Sequence, residues 1–290
     1  MLRTPIKSQR WVGIPAKAIG IPTVAPQGES VKYHEISNSR LPRPMTPQTE
    51  LSFLPGVPVE YVLARLRKAG GNEVGSGKLA SLESSAALAV NTFGWFHERA
   101  DRWPLFPMLT VSPAIVVEVE YCARFPWRGG RHPWLDAWIE TSEAIIGIES
   151  KRFEPFRDEK TVALSDAYNR RVWGDQMGPF EAMRDNLRSG VTSFAFLDAA
   201  QLVKHSFGLV TEGRKKRKRP HLVYVFAEPA KYGDDVKALH RKEIGRFTAA
   251  VEGAEVGFKA ISYREWLNSW PESDPELVAH RAAIITTFGP

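Results

Sequence analysis

The sequence predicts an α/β fold whose core runs α-β-β-β-α-β, a mixed central sheet flanked by helices. Three features lead there: a helical apolar stripe, three short β-type runs in succession, and a second helical period followed by one more apolar run. The stripe is Leu82, Ala86, Ala89, Val90, Phe93 and Phe96, predicting a helix over residues 81–99 with Glu83 in its first turn. Residues 114–122, 134–139 and 144–150 are rich in β-branched and aromatic side chains and are separated by turn formers such as Gly129 and Gly130, so they read as an antiparallel meander. Residues 193–209 return to helical period, and 221–227 form a further apolar strand.

The flanks are simpler. Prolines recur through residues 1–55 without lasting periodicity, predicting an irregular N-terminal arm ahead of a domain over 56–290. A short helix begins at Pro58 and ends before Gly70 and Gly71. After the core come a helix beyond Asp234, a strand over 258–261 and a last helix from Ser273 with Pro275 in its first turn.

Composition limits the function classes. With 43% hydrophobic and 25% charged residues, the 290-residue chain can bury an ordinary core without staples. Its one cysteine, Cys122, excludes an intrachain disulfide and any multi-cysteine metal centre, and points to a reducing cytoplasm. No apolar run reaches the roughly 20 residues of a membrane span. A net charge of +6 and a pI near 9.4 favour a polyanionic partner such as nucleic acid, because cationic side chains gain by releasing its counterions.

The segment that carries chemistry joins the second and third runs. Asp136 lies in the second, and the third ends Ile148-Glu149-Ser150-Lys151. Strand side chains alternate, so Glu149 and Lys151 share a face and Ser150 points away. A hairpin turning at Thr141 and Ser142 would pair Asp136 with Gly147 and set it diagonal to Glu149. Two carboxylates near one ammonium suit phosphodiester hydrolysis: the acids hold Mg²⁺, the metal polarises phosphate and acidifies water, and the cation orients the attack. The bland alternative is a surface ion pair with Asp136 as a strand-end polar residue. Asp158-Glu159-Lys160 matches the same short pattern but follows no apolar strand.

Several segments resemble the PD-(D/E)XK nuclease superfamily, and within it a bacterial restriction-endonuclease-like group. They are Ser84 to Asn91 with Phe93 and Gly94, the Asp136 strand, Gly147 to Lys151 with Glu154-Pro155-Phe156, and Ala200-Gln201-Leu202-Val203-Lys204-His205. The resemblance implies a restriction-endonuclease-like core and a metal-dependent endonuclease acting on DNA. Asp136, Glu149 and the Ser150 carbonyl would hold Mg²⁺, with Mn²⁺ able to substitute, and Lys151 would be the catalytic lysine. It also implies roles for Glu83, as a helix carboxylate completing the site, and for Gln201, on the helix after the hairpins. Lys204 and His205 would extend a polar patch beside Gln201. A homodimer is compatible with such a group. Leu135 stands where the superfamily pattern has proline. The alternative reading is a non-catalytic nucleic-acid-binding protein built on the same scaffold.

Other signals carry less. The loop Gly71 to Lys78 has glycine spacing one residue too long for a phosphate loop, and Leu79 replaces the Ser or Thr that would hold Mg²⁺. The basic run Arg214 to Arg219 reads as a loop between helix and strand, solvated or touching backbone phosphates. Trp127, Arg128, Arg131, His132 and Trp134 read as a turn plugging the core edge more readily than as a base-stacking platform.

Overall fold

Apolar periodicity sets the first two helices. In the computed structural model, which describes residues 53–70, 75–81 and 83–290, α1 (Val59–Ala69) buries Val62 and Leu66 and stops where Gly70 takes the left-handed conformation. α2 (Ser85–Gly94) is shorter than its apolar stripe predicts. The Ser84 hydroxyl caps it by accepting from Ala87 N, and beyond Gly94 the chain continues in single turns. Glu83 therefore lies in the turn before the helix, not in its first turn. Most of the proline-rich arm, and the first part of the 71–78 loop, fall outside the described residues.

The three apolar runs become β1 (Val116–Cys122), β2 (Trp134–Glu140) and β3 (Ala144–Lys151), each antiparallel to the next. After β3 come a single helical turn, α3 (Glu154–Arg157), and two helices, α4 (Gly178–Ser189) and α5 (Ala199–Lys216). Next are β4 (Arg219–Phe226), α6 (Asp234–Ala250) and β5 (Gly257–Ser262), and the chain closes with α7 (Tyr263–Asn268) and α8 (Pro275–Phe288). β4 lies parallel to β3 and β5 parallel to β4, so the five-stranded mixed sheet has the order β1-β2-β3-β4-β5. Parallel neighbours need crossover connections, and the segments carrying α5 and α6 provide them. The α-β-β-β-α-β core is thus α2, β1, β2, β3, α5, β4.

Each face of the sheet has its own apolar layer. Val117, Val119, Ile139, Ile146, Ile148, Val223 and Val225 pack with α2, α7 and α8. Ile145, Trp138, Leu222 and Tyr224 pack with α4, α5 and α6 on the opposite side. Burial on both faces explains why β3 reads as an almost continuous apolar run. The approach of α5 is unusually close. A Cβ on Gly208 would lie 2.8 Å from the Ala123 Cβ and 2.9 Å from its carbonyl oxygen, and one on Gly147 would lie 2.9 Å from the Leu209 methyls.

The β2–β3 hairpin differs from expectation by two residues. Gly147 pairs with Trp138, not Asp136. Thr141 N donates to Ala144 O at 2.9 Å, and the Thr141 hydroxyl accepts from Ala144 N at 2.9 Å, so Ser142 and Glu143 form the turn. A two-residue shift preserves which face each side chain occupies, and it moves Asp136 from a diagonal position towards Glu149's own level.

The outer edge of β1 is covered by side chains. Arg65 donates to the carbonyls of Val119 and Glu120 at 2.9 and 2.7 Å, Tyr61 accepts from Val119 N, and the His97 ring contacts Val117 O at 3.0 Å. At the rim of the other layer Trp127 meets Trp173 edge to face and lies under the Arg170 guanidinium, and His132 accepts from Phe125 N. Of the aromatic and basic cluster before β2, Trp127 and His132 pack at the core edge, while Arg128 and Arg131 are exposed. The basic run is not a loop: Arg214, Lys215 and Lys216 form the last turn of α5, and Arg217 is its left-handed cap. Among the described residues no helix is long and apolar enough to cross a membrane.

Candidate active site

Sheet irregularity and alternation together build the site at the end of β3. Regular β1–β2 pairing skips Glu120 and Asp136, and Glu120 has a φ of 48°, an uncommon conformation for a side chain of this kind. There Leu135 packs on the α5 side, which strict alternation from Ala137 would deny it. Asp136, at the break, uses its own carboxylate where the ladder ends, and Oδ2 accepts from Ser150 N at 2.6 Å. Ser150 turns to the α7 side, its hydroxyl 2.6 Å from the Tyr263 hydroxyl.

Glu149 and Lys151 emerge on the α5 side. Glu149 is 2% exposed, Lys151 Nζ lies 2.5 Å from its Oε1, and His205 Nε2 lies 2.7 Å from its Oε2. Neither carboxylate oxygen has an aligned hydrogen-bond partner, so these are short polar contacts whose angles are off-axis. Burial opposes ionisation of Glu149, but Lys151 and His205 outweigh it and hold the carboxyl down at about 2. Asp136 goes the other way. Burial, then the Glu149 charge, push its carboxyl well above the usual range against the pull of Lys151. Burial opposes the Lys151 ammonium too, yet Glu149 and Asp136 overcome it and raise it above the ordinary lysine value. Two adjacent acids with opposed shifts are what a low-dielectric cluster short of one positive charge produces.

A hard divalent cation would find oxygen donors here in Asp136 and Glu149. Among the described residues no group of three or more His, Cys, Asp or Glu side chains is arranged to hold a metal. Mg²⁺ does not need such a cage, since it usually takes one or two carboxylates and keeps water or phosphate oxygens elsewhere. Asp136 and the misaligned oxygens of Glu149 supply that number.

The other expected residues divide. Gln201, on the first turn of α5, lines a cleft of about 220 Å³ with Lys151, Glu154, Lys160, Asp198 and Tyr224. Asp158 and Glu159 border the same cleft, so the look-alike Asp158-Glu159-Lys160 motif lies beside Lys151 in space. Glu83 sits elsewhere: it is exposed, 3.1 Å from Lys231 and 3.7 Å from Arg157, on a neighbouring hollow shared with Ser84, Ser85, Glu154 and Asp158. Glu154, to which the sequence expectations give no site role, borders both hollows. It accepts from the Ser85 hydroxyl and, at 3.0 Å, from Arg152 N, tying the start of α2 to the end of β3. Lys204 is half-buried, and its neighbour His205 leaves the expected surface patch to face Glu149.

A mixed sheet with a β-hairpin acid, a strand-end Glu-x-Lys and a crossover helix against them defines a restriction-endonuclease-like protein. The profile of one family, described as Restriction Endonuclease associating with ARP, matches residues 29–282, and the chain belongs to that family. No curated protein and no solved structure matches it.

Proposed function

We propose that the protein is a metal-dependent endonuclease hydrolysing phosphodiester bonds in DNA. The observation that carries this reading is the buried Glu149, held ionised beside Lys151 and close enough to Asp136 to oppose that residue's ionisation. Such a cluster is costly to fold around unless a cation joins it. Asp136, Glu149 and the Ser150 carbonyl would hold Mg²⁺ or Mn²⁺, which would supply Lewis acidity towards the phosphate and lower the pKa of a bound water. Lys151, at the mouth of the cleft, balances the charge of the phosphate and orients the attacking oxygen. Gln201, which lines the same cleft as Lys151, and Glu83, in a neighbouring hollow, would border the substrate. The family description names an association with ARP, and a partner of that kind belongs to this reading.

The test uses purified protein with plasmid and linear DNA, in Mg²⁺ or in EDTA, alongside Lys151→Ala and Asp136→Ala. Cleavage in Mg²⁺ by the parent alone is expected. DNA retention with no metal-dependent cleavage by the parent would instead support a nucleic-acid-binding protein on a nuclease scaffold.

A further inference from the structure

His205 and Glu149 are each 2% exposed and face one another across the α5–β3 contact at 2.7 Å. Around it on α5, Leu202, Val203, Phe207, Leu209 and Val210 are buried and apolar, and the buried Ser206 hydroxyl donates within the helix to Leu202 O, so packing alone gives no reason for an imidazole there. Burying a ring nitrogen costs free energy unless a polar partner meets it, and the polar group facing Nε2 at short range is the Glu149 carboxylate, at 2.7 Å though off the hydrogen-bond axis. Lys151 alone would leave the carboxylate poorly defined, because the last torsion of a glutamate is broad and roughly twofold. With Lys151 Nζ against Oε1 and His205 Nε2 against Oε2, the carboxylate is flanked on both of its oxygens.

We propose that His205 is a positioning residue of the metal site, holding Glu149 through Oε2 in the orientation that receives a divalent cation. The inference rests on the metal-dependent reading above. Gly208 and Gly147 serve the same end: without side chains they let α5 approach the sheet closely enough for an imidazole to reach a strand carboxylate. Outer partners that orient a ligating group typically change metal affinity or activity by about ten- to hundredfold when removed.

The experiment measures Mn²⁺ binding to the full chain, by electron paramagnetic resonance of the free ion, for the parent, His205→Leu, His205→Gln and Asp136→Ala. Unfolding midpoints in EDTA are recorded for each. His205→Leu is expected to bind Mn²⁺ about ten- to hundredfold more weakly, and His205→Gln, which places an amide nitrogen near the position of Nε2, to recover most of the affinity. A purely structural histidine would move the midpoint in EDTA while both folded variants bound Mn²⁺ like the parent, and that result overturns the inference. Should His205→Leu fail to fold, His205→Asn, whose amide is too short to span the gap, takes its place beside His205→Gln, and equal affinities for the two overturn it. Failure of the underlying reading looks different: the parent itself binds no Mn²⁺, or Asp136→Ala binds it unchanged.

Discussion

Lys151 and Phe226 are register partners at the far end of the β3–β4 ladder, which opens at the Ala144–Arg219 pair. At about 3.3 Å per residue, the basic run that leads into Arg219 is about 23 Å from the candidate site, more than two Debye lengths at physiological salt. Several of its charges are also spent locally. Lys216 and Lys218 each lie 2.7 Å from Glu140, and Arg214 pairs with Glu255.

Arg217 and Arg219 are exposed, and replacing both with glutamate should leave the cleavage rate at saturating DNA within about threefold of the parent, since contacts made equally in ground and transition states move KM and not kcat. Lys151→Ala should abolish turnover in the same assay. A large fall in the saturated rate of the double variant would show that the run acts at the reacting phosphate after all.

Asp136→Asn should make the metal-free protein more stable. The sign follows from its raised carboxyl: stability is fully present below the ordinary value of 3.8 and is lost as pH rises through the higher folded value. The amide removes the cost of burying a carboxylate and its repulsion with Glu149, and can still accept from Ser150 N. A gain of about 0.5–2 kcal/mol is expected from urea unfolding in EDTA, together with loss of any stabilisation by Mn²⁺. A less stable variant under those conditions would mean that the two acids do not oppose one another.

Gly208→Ala and Gly245→Ala should act in opposite directions although both lie in helices. At Gly208 the added methyl meets the Ala123 carbonyl oxygen at 2.9 Å, and at Gly245 it meets nothing within 4 Å. Overpacking costs about 1–3 kcal/mol, against a helix-propensity gain of about 1 kcal/mol that Gly245→Ala would realise alone. Thermal midpoints of the two variants decide it, and equal shifts would remove the close approach of α5 from the account.

Acid should unfold the protein partly through two buried histidines. Burial pushes His240 down to about 3 and His280 to about 4, from an ordinary 6.5. A depressed histidine stabilises the fold above 6.5 and loses that contribution as pH falls towards the folded value. Urea midpoints of the parent should therefore drop between neutral pH and about pH 4.5, and His240→Gln should flatten that drop. An unchanged slope would assign the acid sensitivity to other groups.

Much of this architecture is legible in the residues themselves. Periodicity locates the strands to within about two residues, and the burial of Ile145, Ile146 and Ile148 is what separates Glu149-Ser150-Lys151 from the similar Asp158-Glu159-Lys160. The hairpin register is less accessible, because it depends on the Thr141 hydroxyl taking the Ala144 amide. The α2 boundary likewise rests on which of Ser81, Ser84 and Ser85 becomes the cap. His205 was visible as a neighbour of Gln201 one helical turn away, but sequence spacing does not say which side of a helix meets the sheet. The Glu120 distortion has no sequence signal, since glutamate is not a residue that favours a positive φ.

Tyr61, Arg65 and His97 occupy the main-chain groups along the exposed border of β1. A strand arriving from another molecule would have to evict all three side chains before forming its first rung, so sheet extension at this border is blocked. Two copies that associate do not do so by adding a strand beside β1, and the chain carries at that margin its own protection against runaway strand pairing.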